Sequence, residues 1–248
     1  GKTKVIKKQE FFQVNCEGTR KVVEAATRQD IRHLVHISSL AASHPASLDL
    51  PAREEDESRP VSAYGLSKLL GEAEVVRNCK VPYTILRPSA VYGPRDMEFY
   101  QTFKLIKSLL MPVFNGDMQF SLIYAGDLAS AVSSCLGNKE TFFKTYNVAH
   151  PKPVKNKQFF DEIAAQMSIK PVRINVPKQV LYLACFFQEG LSQITRKPNI
   201  LSRQKYNELS AKGWVCSVEK IERDIGYIAE TSLQEGIAKS IEWYKQNK

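Results

Sequence analysis

The chain has 248 residues, 43% of them apolar, which is enough for a substantial buried core and for one large domain or two modest ones. Its formal net charge is +9, but its basic residues are mostly interspersed with acidic ones and no nucleic-acid-binding signature appears, so nucleic acid is not an expected partner. The five cysteines are scattered and form no C-x-x-C pair, which argues against a disulfide framework or a metal site and favours a reducing, cytoplasmic location.

The first predicted element is an amphipathic helix from Glu10 to Ala26, in which apolar residues recur at helical spacing. Asn15 lies inside this helix, although asparagine is an unfavourable residue there. Its side chain therefore either has another use or lies at the surface.

A short apolar run from His33 onward predicts a buried strand that ends in Ser38 and Ser39. Open α/β sheets bind their ligands at the carboxyl ends of such strands, so these hydroxyls are candidate ligand contacts. Residues 42–60 contain three prolines and an acidic run, and they are predicted to form a long surface loop.

The next predicted helix begins near Ser62 and reaches about Asn78. Tyr64 and Lys68 stand four residues apart in it, so both lie on one face, about one turn from each other. A nearby ammonium lowers the pKa of a tyrosine, which suits a tyrosine that acts as general acid or base. The same spacing is common on solvated helices, so the pair alone does not identify a site.

Strands and helices then alternate, which is typical of a parallel, doubly wound sheet. The predicted elements up to residue 150 are a strand from Tyr83 to Pro88, a helix from Met97 to Leu110, a strand from Gln119 to Tyr124, a helix from Gly126 to Leu136 and a strand from Thr145 to Ala149.

Helices dominate the last part of the chain. They are predicted at 156–167, 178–194, 217–225 and 232–245, with one strand at 171–176. The longest apolar run, Val180 to Phe187, is far shorter than the roughly 20 residues that span a bilayer. It could help a surface touch a membrane, but we favour the interpretation as a packed core helix.

Taken together and in order, these segments resemble the extended short-chain dehydrogenase/reductase family of NAD(P)-dependent epimerases, dehydratases and reductases. The resemblance runs through Asn15 in Q-V-N-C-E-G-T-R, Ser38-Ser39, Tyr64-x-x-x-Lys68, R-P-S-A-V-Y-G-P from Arg87 and L-I-Y-A-G-D-L-A from Leu122. It implies a Rossmann-like α/β fold, with a doubly wound parallel sheet and a smaller, mainly helical carboxyl-terminal substrate domain.

The resemblance also divides the chain. Residues 1–94 and 126–150 are expected to be the remaining part of the dinucleotide-binding domain, and residues 95–125 and 151–248 the substrate-binding part. The family begins with a strand and a glycine-rich turn that carries the dinucleotide pyrophosphate, and neither is found before Gly1. We therefore expect that roughly 70 to 80 amino-terminal residues, with their strands, are missing from this sequence.

The same resemblance assigns roles to individual residues. It implies that Tyr64 is the general acid/base, and that Lys68 lowers its pKa and holds the nicotinamide ribose. Ser39 would hydrogen-bond the substrate oxygen, with Ser38 as the fallback, and Asn15 would complete a catalytic tetrad. The implied cofactor-binding residues, for NAD or NADP, are Asn15, Ser38, Tyr64, Lys68, Pro88 and Ser89; Ser39 and Tyr64 bind substrate, and no metal is expected.

The implied function is hydride and proton transfer at a hydroxyl or carbonyl carbon of a small molecule. A nucleotide-linked sugar is the first substrate hypothesis, although sugar-nucleotide members often carry asparagine near Ala90. The alternative is a ketone/alcohol oxidoreductase for an apolar substrate, of the hydroxysteroid or dihydroflavonol type, which the apolar stretch at 181–187 favours. A third hypothesis is a non-catalytic dinucleotide-binding scaffold. A homodimer without a membrane span is the expected assembly.

Overall fold

The computed structural model describes residues 1–113, 118–195 and 202–247. Its strands within these ranges are β1 (Leu34–Ile37), β2 (Tyr83–Pro88), β3 (Ala90–Tyr92), β4 (Leu110–Val113), β5 (Gln119–Phe120), β6 (Leu122–Tyr124), β7 (Lys144–Val148), β8 (Val154–Lys155), β9 (Val172–Asn175) and β10 (Gly213–Trp214). Its α-helices are α1 (Gln9–Phe12), α2 (Gly18–Arg28), α3 (Ala63–Asn78), α4 (Met97–Lys107), α5 (Ala125–Cys135), α6 (Asn156–Gln166), α7 (Lys178–Thr195), α8 (Arg203–Leu209), α9 (Glu219–Ile225) and α10 (Leu233–Asn247).

The central sheet consists of β1, β2 and β7, all parallel and in that order. Ile37 pairs with Leu86, and Pro88 pairs with Val148, so the three strands end at the same edge of the sheet. The residues that follow β1 and β2 are consequently neighbours in space, although they are far apart in the sequence. This is the parallel arrangement that the alternating pattern predicted.

Helices cover both faces of this sheet. On one face, α2 and α3 pack through Val23 and Val75 against Ile85 of β2. On the other face, α5 and α9 contribute Ala131 and Ile221 to a second apolar cluster. The sheet is therefore the middle layer of an α/β sandwich, and its strands are apolar because they are buried on both sides.

The first helix of the prediction is interrupted by a π-helical segment, Gln13–Glu17, between α1 and α2. Such segments occur frequently at functional sites. A Cβ on Gly71 of α3 would approach the Asn15 carbonyl oxygen to 2.4 Å, so the absence of a side chain at Gly71 lets the two helices come this close. Thr19 donates a hydrogen bond to the same carbonyl, at 2.8 Å.

A separate apolar cluster fills the carboxyl-terminal part. It joins α4, α6 and α10 around Phe99, Phe103, Ile163, Ile237 and Tyr244. The division of the chain into dinucleotide-binding and substrate-binding parts stays a prediction.

Three predictions of local structure need correction. The strand at 119–124 is two strands, because β5 pairs with β8 and β10 whereas β6 pairs with β3. The helix predicted to reach Leu110 ends at Lys107, and Leu110 begins β4, which pairs with β9. Nothing local in the sequence signals this pairing, because the partner strand lies much further along the chain.

The third correction concerns the run from Val180 to Phe187, which was interpreted as a core helix. It does form the first half of α7, but Val180, Leu183 and Phe187 are each more than 50% exposed and only Leu181 and Cys185 of the run are buried. In the parts of the chain that the structure describes, no helix meets the length and apolarity that crossing a bilayer requires.

Candidate active site

Three segments meet at the carboxyl edge of the central sheet and line a cleft of about 700 Å³. Ser38 and Ser39 come from the end of β1, Pro88 and Ser89 from the end of β2, and Tyr64 from the first turn of α3. The structure thus brings together five of the residues that the sequence singled out. It does so because parallel strands end at one edge and α3 begins beside it.

Tyr64 is held by the start of its helix. The Ser62 hydroxyl caps α3 by accepting a hydrogen bond from the Gly65 amide at 3.0 Å, and the Tyr64 ring lies 5.8 Å from that of Phe11. Burial raises the pKa of the Tyr64 phenol, and its hydrogen bond with Ser39 partly opposes the rise. Ser39 is itself fixed, since its hydroxyl also accepts a hydrogen bond from the Ala41 amide at 3.2 Å.

Lys68 lies about one turn after Tyr64 on α3 and is almost fully buried. Its ammonium donates a hydrogen bond to the Ile37 carbonyl oxygen at 2.7 Å. Burial lowers the pKa of Lys68, and the nearby Glu72 carboxylate opposes this. The pKa of Tyr64 is raised, not lowered as the Tyr64–Lys68 spacing predicted, because burial outweighs the Ser39 hydrogen bond and the Lys205 ammonium, which both lower it.

Asn15 does not line the cleft but is linked to Tyr64 through Ser67. The Asn15 amide donates to the Ser67 hydroxyl at 3.0 Å, and Ser67 donates to the Tyr64 carbonyl oxygen at 2.7 Å. The same amide group also bonds both backbone groups of Lys2, at 2.9 and 3.0 Å. Asn15 is 2% exposed, so all of its polar contacts in the structure are internal.

Ser38 points into a buried cluster under the cleft. Its hydroxyl donates a hydrogen bond to a carboxylate oxygen of Glu72. Arg87 holds the same carboxylate with two nitrogens, Nη2 at 2.7 Å from Oε2 and Nε at 3.0 Å from Oε1. The side chains of Arg87 and Glu72 are 7% and 6% exposed, so this ion pair is almost completely removed from water.

Ser89 has a buried hydroxyl that faces the cleft and finds no hydrogen-bond partner among the described residues. Its backbone amide donates a hydrogen bond to the Val148 carbonyl oxygen at 3.0 Å, so only its hydroxyl lacks a partner among the described residues. A buried hydroxyl normally has a partner. The Ser89 hydroxyl therefore fits a polar ligand bound in this cleft, such as a nicotinamide nucleoside; Lys68 lies behind the residues that line it.

A second cavity of about 330 Å³ adjoins the cleft, and Ser39, Tyr64 and Ser89 line both. Its walls are mostly apolar and aromatic, and they include Leu40, Met118, Phe120, Phe159, Phe160 and Trp214. Nothing in the local sequence marks these residues as neighbours. These side chains come from β5, α6 and β10, and only the tertiary fold collects them.

Lys205 and Glu208 of α8 also border both cavities. Their side chains form an ion pair with 3.0 Å between Lys205 Nζ and Glu208 Oε2. Both charges act on Tyr64: the Lys205 ammonium lowers the pKa of the phenol and the Glu208 carboxylate raises it. The sequence carries no signal for this pair, because a lysine and a glutamate three residues apart are common on helices.

The model of the "NAD dependent epimerase/dehydratase family" matches residues 2–149. Ceramide reductase of Caulobacter vibrioides is 25% identical over 236 residues, which cover 95% of this chain and 69% of that protein. The N-acetyl-alpha-D-glucosaminyl-diphospho-ditrans,octacis-undecaprenol 4-epimerase of Escherichia coli O157:H7 is 24% identical over 246 residues, covering 94% and 71%.

Among solved structures, UDP-glucuronic acid 4-epimerase from Bacillus cereus, in complex with UDP-glucuronic acid and NAD, superposes with a TM-score of 0.74. It shares 19% sequence identity, and the match covers 94% of this chain and 68% of that one. This likeness confirms the predicted Rossmann-like α/β fold class.

Proposed function

The protein belongs to the NAD dependent epimerase/dehydratase family, whose model matches well over half of the chain, and on that premise we propose that Ser39, Tyr64 and Lys68 form its catalytic centre. The reaction is transfer of a hydride and a proton at a carbon that bears a hydroxyl or carbonyl group. The observation that carries this proposal is that Ser39 and Tyr64 both line the cleft and the adjoining apolar cavity.

The cleft holds the cofactor in this proposal. A nicotinamide dinucleotide, when bound, donates or accepts the hydride. Lys68 has donors left besides the one used by Ile37, and they suit the ribose hydroxyls. Pro88 and the unpartnered Ser89 hydroxyl would border the nicotinamide. Asn15 and Ser38 would support the site from beneath, Asn15 through Ser67 and Ser38 through Glu72.

The proton moves at Tyr64. In reduction, its phenol donates a proton to the substrate carbonyl oxygen, and the Ser39 hydroxyl hydrogen-bonds the same oxygen. In oxidation, the phenolate accepts the proton. Because burial raises the pKa of Tyr64, the phenol is the resting form at neutral pH, which favours the reductive direction until a bound ligand supplies further positive charge or hydrogen bonds.

The apolar cavity supports one of the two substrate classes over the other. Its aromatic wall beside Ser39 and Tyr64 suits a ketone or alcohol with an apolar body, and ceramide reductase is among the similar proteins. A nucleotide-linked sugar is the second candidate, since two relatives or neighbours described above are 4-epimerases and Lys205 offers a cation at the mouth of the site.

A substrate panel tests this choice. Full-length protein is incubated with NADH or NADPH and either long-chain ketones or nucleotide sugars, and loss of the reduced cofactor's absorbance is followed. We expect turnover with apolar ketones and little with nucleotide-4-ketosugars. The reverse preference would transfer the proposal to the second candidate, and no cofactor binding at millimolar concentration would contradict both.

A pH profile tests the role of Tyr64 and its charged neighbours. In the oxidative direction kcat/KM rises as the pH passes the pKa of Tyr64. Lys205→Gln removes a charge that lowers this pKa, so the rise moves to higher pH, and Glu208→Gln moves it to lower pH. Lys107→Gln, an exposed lysine of α4, is the matched control and leaves the profile in place. Equal or absent shifts in the two variants would argue against Tyr64 as the titrating group.

A further inference from the structure

The outer face of α7 is apolar and exposed to solvent. Val180, Leu183, Phe187 and Leu191 recur at spacings of three and four residues, so they lie on one side of the helix. Their exposed fractions are 52%, 51%, 69% and 52%. The opposite side is the packed one, with Leu181 and Cys185 buried.

The strand β9, which precedes α7 in the chain, also exposes apolar side chains. Val172 and Ile174 lie on the same face of β9 and are 63% and 46% exposed. Leu110 of the neighbouring strand pairs with Val172 and is 43% exposed. Large contiguous apolar surface is uncommon on soluble monomers and marks a contact with another apolar phase or molecule.

The charges around this surface are mostly positive. Between residues 170 and 197 the sequence has five basic residues and one acidic residue, Glu189. Lys178 is exposed in the first turn of α7, and Arg173 on β9 is paired with Asp161 at 2.6 Å. Arg196 and Lys197 follow the helix in the sequence and lie outside the described residues.

We propose that the exposed face of α7 docks on an anionic lipid surface, with the helix lying in the plane of the interface. Apolar side chains on one face, with basic residues before and after the helix in the sequence, are the features that bind a helix to acidic headgroups. A second copy of the chain is the less suitable occupant, because a two-fold contact through this face would bring the same excess of positive charge together.

The helix that carries the docked face also borders the site, but with its opposite side. Glu189 of α7, together with Ser202 and Lys205 of the following helical segment, borders the cleft that contains Tyr64. Glu189 is nine residues from Val180, so it lies on the opposite side of the helix, and docking leaves the cleft side of α7 facing away from the lipid. The proposal itself does not rest on the proposed reaction, since lipid binding is measured without turnover.

Vesicle flotation tests the proposal with the full-length protein. Vesicles of phosphatidylcholine alone are compared with vesicles that also contain phosphatidylglycerol. We expect the bound fraction to rise with phosphatidylglycerol and to fall with added salt. The double variant Leu183→Ser/Phe187→Ser removes two large apolar side chains from the docked face and is expected to bind at least about tenfold more weakly.

The matched control is Leu50→Ser/Leu136→Ser, which removes two similarly exposed side chains elsewhere and keeps wild-type binding. Circular dichroism establishes that both double variants are folded. Absence of wild-type flotation with either lipid overturns the proposal, and so does equal flotation of the wild type and the α7 variant. If the wild type does not bind vesicles but is a dimer, and the α7 variant is a monomer, the face is assigned to self-association instead.

Discussion

Replacing Tyr64 by phenylalanine lowers kcat by about 10²- to 10⁴-fold, the usual contribution of a positioned general acid or base. The substitution removes only the hydroxyl that is hydrogen-bonded with Ser39, while the ring keeps its contact with Phe11. Binding of the nicotinamide cofactor should change little, because Lys68, Pro88 and Ser89 remain. Steady-state kinetics and cofactor titration measure the two effects separately.

The matched control is Tyr83→Phe. Tyr83 is a buried tyrosine at the start of β2, and its ring packs edge-on against Phe143. This variant also loses a phenolic oxygen, but at a position outside the site, and it keeps the wild-type kcat. A Tyr64→Phe enzyme with turnover within a few-fold of the wild type would exclude Tyr64 as the proton donor.

Replacing Glu72 by alanine is expected to destabilise the fold by about 3 to 5 kcal/mol, because it leaves the Arg87 guanidinium buried without its carboxylate. Two of the three Arg87 nitrogens bond Glu72, and the Ser38 hydroxyl loses its acceptor as well. Urea unfolding followed by circular dichroism measures the change in the free energy of unfolding.

Glu74→Ala on the same helix is the control for this experiment. Glu74 accepts a hydrogen bond from the exposed Asn78, so its loss changes stability by no more than about 0.5 kcal/mol. The double variant Glu72→Ala/Arg87→Met should recover much of the lost stability, since it removes the unpaired charge. A single Glu72→Ala variant as stable as the control would contradict the interpretation of the cluster.

Family, enzyme class and nicotinamide cofactor were accessible from the sequence, and the family match confirms them. Ser39, Tyr64 and Ser89 could be located together because each follows or begins a regular element with a clear local pattern. Parallel strands then bring these positions to one edge of the sheet. The family resemblance assigned these residues to one site, and their roles stay predictions.

What the sequence did not predict depends on tertiary packing. Ser38 and Ser39 are adjacent in the sequence, but the Ser38 hydroxyl bonds Glu72 and the Ser39 hydroxyl faces Tyr64. The packing of α3 on the sheet determines which serine contacts which residue. Lys205 and Glu208 lie on a short helix whose position over the cleft has no local signature. The apolar run of α7 was misread because helical periodicity cannot tell which face a neighbour covers.

Deuterium transfer tests the central claim most directly. Full-length protein is supplied with NADH or NADPH deuterated at nicotinamide C4 and with a preferred ketone from the panel, and the product is examined by mass spectrometry. The proposed centre predicts one deuterium on the former carbonyl carbon with wild-type protein and almost none with Tyr64→Phe. A product without deuterium, or equal labelling by both proteins at equal rates, would contradict it.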